Sequence, residues 1–71
     1  MTGNIYHNAK HLPLPAAVAD CARQYEAKFG KPPTWAWVHP SHLDGGQQTT
    51  INGVVVGPSQ YALRWHLTMG A

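Results

Sequence analysis

Four residues near the middle of the chain, Gly30-Lys31-Pro32-Pro33, bar any regular element from running through them. Glycine readily takes the left-handed conformation that ends a helix, and each proline removes a backbone donor and locks its own φ. The chain is thereby divided into two stretches, and their hydrophobic periods differ.

Before the break, Pro13 and Pro15 in HLPLP open a segment, AAVADCARQYEAKF, that runs to Gly30. A proline in the first helical turn loses nothing, because its missing N–H would lack a partner there anyway. At 100° per residue, Val18, Cys21, Ala22, Tyr25 and Phe29 fall on one arc, with Asp20, Arg23, Gln24 and Ala27 facing away. Lys28 and Lys31 stand where the negative end of a helix favours cations. The spacing predicts an amphipathic helix over about residues 15–29.

After the break the period drops to two. Trp35, Trp37 and His39 alternate with Ala36 and Val38 until Pro40, the pattern of a strand. Asp44-Gly45-Gly46 reads as a turn. Asn52-Gly53 between QQTTI and VVV is a strong hairpin signal, because a type I′ turn needs positive φ at both central positions, and it sets strands at about 47–51 and 54–57. In YALRWHLTMG, Leu63, Trp65, Leu67 and Met69 alternate with Arg64, His66 and Thr68, which favours a last strand over a short helix, although Ser59 is a competent helix cap. The opening NIYHN adds an edge strand. The expected fold is α+β over residues 1–71 as one domain: one amphipathic helix packed on a small, mainly antiparallel sheet of three to five short strands.

Charge bears on function more than on fold. Charged side chains are only 11% of the chain, less than half of the roughly 25% usual in globular proteins. A surface so neutral is consistent with self-association or with a partner that covers part of it. The net charge of +2 is five cations less three carboxylates, and the cations Lys10, Arg23, Lys28, Lys31 and Arg64 are scattered and form no basic run. Cys21 is the sole cysteine and can make no internal disulfide. No leader-like charged and apolar tandem opens the chain, and no apolar run reaches the roughly 18 residues of a membrane span, so a soluble, cytoplasmic protein is expected.

Catalytic constellations are weak. Asp20 and Glu26 lie six helical steps apart and point about 120° away from each other, so they cannot converge on one reacting centre. They read as solvated helix charges, Asp20 paired with Arg23. Cys21 falls on the apolar arc, where a cysteine is a small buried hydrophobe. Ser41, His42 and Asp44 crowd into HPSHLD, yet sequential neighbours seldom adopt triad geometry. No phosphate-binding glycine motif is present, no cofactor is implied, and the chain reads as non-enzymatic.

Two sharper hypotheses remain beside a bland one. His7-x3-His11 and His39-x2-His42 have spacings that can bring two imidazoles onto one ion, but without accompanying thiolates or a His-Glu-x-x-His motif neutral surface polarity is the better account. Trp35, Trp37 and Trp65 on one sheet face could stack the bases of a single strand while Lys31 and Arg64 met phosphates. Five dispersed cations make a poor footprint for that, and so small a core calls for large rings, so the sequence favours tryptophans packed on Val18, Tyr25 and Phe29. The preferred reading is a protein-interaction or assembly module, self-associating or accessory to a larger complex, that pairs through exposed strand edges. Its weak candidate binding residues are Trp35, Trp37, His39, His42, Arg64, Trp65 and His66.

Overall fold

The computed structural model describes residues 4–71. One helix, α1 (Leu14–Phe29), lies on a five-stranded sheet of β1 (Asn4–His7), β2 (Trp35–Val38), β3 (Thr49–Ile51), β4 (Val54–Pro58) and β5 (His66–Gly70). The expected α+β class is the observed one. In space the strands run β1-β5-β2-β4-β3, which puts β2 at the centre and β1 and β3 at the edges. Three of the four pairings are antiparallel, and β2 with β4 is parallel.

Local chemistry accounts for the element ends. Pro15 sits in the first turn of α1, and Gly30 closes it at φ 77°, its N–H donating to the Glu26 carbonyl at 2.8 Å. Asn52 and Gly53 take φ 50° and 80°, as a type I′ turn requires, and join β3 to β4 as an antiparallel hairpin. The parallel pair arises because residues 39–48 return the chain through two short 3-10 turns, Pro40–His42 and Asp44–Gly46, before β3. The hairpin then delivers β4 alongside β2 in the same direction. Thr34 donates to the Gly70 carbonyl at 2.8 Å, and Ser59 donates to the Val38 carbonyl at 2.9 Å, so the ladder continues past both ends of β2.

The core joins Ala17, Val18, Cys21 and Tyr25 of α1 to Ala36, Val38, Val54, Val56, Leu67 and Met69 of the sheet, with Leu43 closing one end. Two expectations fail here. Phe29, the last residue of the helix, is 45% exposed, and Ala17 joins Val18, Cys21 and Tyr25 on the buried arc instead. More consequentially, Trp35 and Trp37 do not face the helix. The inward residues of β2 are Ala36 and Val38, each 1% exposed. Both registers of this strand are apolar, so alternation alone leaves its phase open, and a one-residue change of phase exchanges every side chain between faces. These small side chains enter the same core as Ala17, Val18, Cys21 and Tyr25 of the helix.

The last strand is also shorter than its pattern. Leu63 and Trp65 precede β5, and Leu63 is 66% exposed, while Leu67 and Met69 carry the alternation into the core.

Candidate functional site

Turning β2 outward assembles a second surface on the side of the sheet away from α1. Following the register, it carries Ile5 and His7 from β1, His66, Thr68 and Gly70 from β5, Trp35 and Trp37 from β2, Val55 and Gly57 from β4, and Thr50 from β3. Among the described residues the exposed large hydrophobic side chains are Ile5, Phe29, Trp37, Val55, Tyr61 and Leu63. Three of these six stand on this face. Tyr61 and Leu63 rim it, sharing one concavity with Ile5, His66 and Thr68, and Tyr61 shares another with Trp37. Only Phe29 lies on the helix.

The two indoles lean across the face in opposite directions. Trp35 reaches over Gly70 of β5, where a Cβ would collide with its six-membered ring. Trp37 reaches over Gly57 of β4, where a Cβ would come within 2.7 Å of the ring. Both glycines are buried as a result. The ring centroids are 6.1 Å apart with planes inclined by 50°. Glycine on each neighbouring strand is thus what allows the rings to lie down on the backbone, and the sequence marks this only as two unremarked glycines. Beside them His7 and His66, cross-strand partners, stack at 4.5 Å with planes 8° apart. His66 Nδ1 is buried with no hydrogen-bond partner among the described residues.

Among the described residues no strand carries a lysine, arginine, aspartate or glutamate. The charged residues lie on α1, in loops or in the 3-10 turns. Arg23 and Asp20 pair at 2.8 Å on the exposed side of the helix.

The remaining predicted residues gather elsewhere. Trp65 belongs to the helix side, where it stacks on His11 at 3.9 Å and meets His42 at 4.7 Å. A platform of all three tryptophans is therefore not formed: strand phase puts Trp35 and Trp37 on one side and Trp65 on the other. His42 Nε2 is bonded to the carbonyl oxygen of Arg64, whose own side chain is exposed. His39 Nδ1 accepts from the backbone N–H of Ser41 at 3.1 Å and lies 2.8 Å from its hydroxyl, capping the first 3-10 turn. That engages Ser41 with His39 instead of with His42 and Asp44. The four histidines named for metal are likewise divided, since Trp65 packs against both His11 and His42 while His7 stacks on His66. Among the described residues no three metal-ligating side chains converge.

Sequence reading missed Asn8. Its side chain is 8% exposed, and it both donates to the Leu12 carbonyl and accepts from the Leu12 N–H, each at 3.0 Å. The loop it closes holds His11 at φ 53°, which is how that ring comes to face Trp65. Burial pushes the Cys21 thiol up from 9.0 to about 11, with the Asp20 carboxylate adding to the effect, so the thiolate is suppressed. Comparison with protein-family models, with curated proteins and with solved structures finds no match to this chain.

Proposed function

We propose that the chain is a non-enzymatic protein-interaction module and that its binding surface is the open side of the sheet centred on Trp37. The observation that carries this reading is the gathering of Ile5, Trp37, Val55, Tyr61 and Leu63 on a face whose strands hold no charged side chain. Exposed apolar side chains concentrated on one side of a small domain mark a contact surface when they are contiguous, and aromatic residues with few charges are the composition of interface centres. The strand edges remain a second route, since neither β1 nor β3 bears the charge or proline that blunts an edge. An accessory role in the cytoplasm fits the unbridged, protonated thiol of Cys21. The test is retention from an extract of the source cell: a protein held by the immobilised chain should be lost when Trp37→Glu replaces it, and equal retention by both would sink the reading.

Single-stranded nucleic acid is the second reading, because the exposed ring of Trp37 and the half-buried ring of Trp35 beside it offer stacking surfaces. It has lost Trp65 as a third ring, and its strands supply no cation for phosphates. Absence of oligonucleotide binding at low ionic strength would dispose of it.

A further inference from the structure

We infer that the occupant of the open sheet face is a second copy of this chain, packed sheet to sheet about a twofold axis that passes beside Trp37. The inference rests on the proposed interaction face and names its partner.

Charge is the first ground. In a twofold interface the same patch meets itself, so any charged residue near the axis faces its own copy. The five strands have no Lys, Arg, Asp or Glu to place there. An acidic or basic partner would find nothing complementary on this face, whereas a copy of it brings neutral, apolar side chains to neutral, apolar side chains.

Shape is the second. β2 is the central strand, with β5 and β1 on one side and β4 and β3 on the other, so Trp37 stands near the middle of the face. Because Trp35 and Trp37 lean over Gly70 and Gly57 instead of rising from the sheet, the face is low enough for two sheets to approach at about 10 Å. Thr50 and Thr68, outward on β3 and β5, supply hydroxyls that can bond across the pair.

Area is the third. Five strands about 4.8 Å apart and three to five residues long, at about 3.3 Å each, give roughly 330 Å² in plan per copy. Side chains on that plane, with Tyr61 and Leu63 extending it, bring two copies near the lower bound of about 1,000 Å² for a specific interface. An interface of that size belongs with the weak, reversible ones.

Sedimentation of the full chain between about 1 µM and about 1 mM tests this. The wild type and a Lys28→Glu control on the helix should pass from monomer to dimer. Trp37→Glu sets two carboxylates against each other at the axis and should weaken association more than about 100-fold. Val55→Lys, at a position 39% exposed, repeats the test without removing the ring over Gly57, and circular dichroism confirms that either variant is folded. A dimer that persists unchanged in folded Val55→Lys overturns the inference. So does a wild type that stays monomeric throughout; if that monomer still retains an extract protein through Trp37, the interaction face survives with a different partner, and if it retains nothing, both fall. Oligothymidylate binding that disappears in Val55→Lys and Trp37→Glu would assign the face to nucleic acid and overturn both.

Discussion

Trp35 and Gly70 are register partners on adjacent antiparallel strands, and the indole of the first fills the space that a side chain on the second would occupy. The pair is a packing unit: the glycine lets the ring cover the backbone, and the ring shields the glycine from water. Trp37 and Gly57 repeat it on the parallel side of the same strand.

Gly70→Ala should therefore destabilise the fold by about 1–3 kcal/mol, the usual consequence of forcing a methyl group into a filled space. Urea unfolding of the single variant, of Trp35→Leu and of the double variant would measure it. The two effects should be non-additive by at least about 0.5 kcal/mol, since the smaller side chain leaves room for the new Cβ. Additivity would mean that ring and glycine do not share that space.

The helix-facing core should be much more sensitive to truncation than the helix end. Met69 is fully buried, and Met69→Ala is expected to cost about 2–5 kcal/mol. Phe29 is half-exposed, against Tyr25 and beneath Lys28, and Phe29→Ala should cost about 1 kcal/mol or less by the same measurement.

Asn8 holds the loop between β1 and α1 through both groups of its amide. Asn8→Ala leaves the Leu12 N–H and carbonyl without that partner, at a cost of about 1–3 kcal/mol. Because the same loop presents His11 to Trp65, the emission of that tryptophan should change with the variant while the hairpin at Asn52-Gly53 keeps its chemical shifts.

Cys21 is held protonated by burial, its pKa raised from 9.0 to about 11. Native protein should resist alkylation at pH 8 and react only after unfolding. Above pH 9 the unfolded chain loses its thiol proton while the folded one keeps it, so folding stability falls as pH rises from 9 towards 11. Cys21→Ala should remove that part of the alkaline decline, which thermal melts across this range would show.

Much of the architecture was written in local chemistry. The prolines and Gly30 bounded α1 to within a residue of its expected start, Asn52-Gly53 made the hairpin, and period two located β2 and β5. These features depend on backbone conformations that a few neighbouring residues dictate. The candidate face was legible only as a list of residues, among them Trp35, Trp37 and His66, without their side of the sheet.

What only the tertiary structure decided was which way β2 faces. WAWV is apolar in both registers, so the sequence determined that a strand would form there but not which of its two faces would be buried. The choice was made by the core, in which Ala17, Val18 and Cys21 of α1 join Ala36 and Val38, and by Gly57 and Gly70, which receive the displaced rings from the other side. Those partners are distant in sequence and meet only when the sheet has formed. Spatial packing, which no local period encodes, thereby moved two tryptophans from the expected core to the open surface.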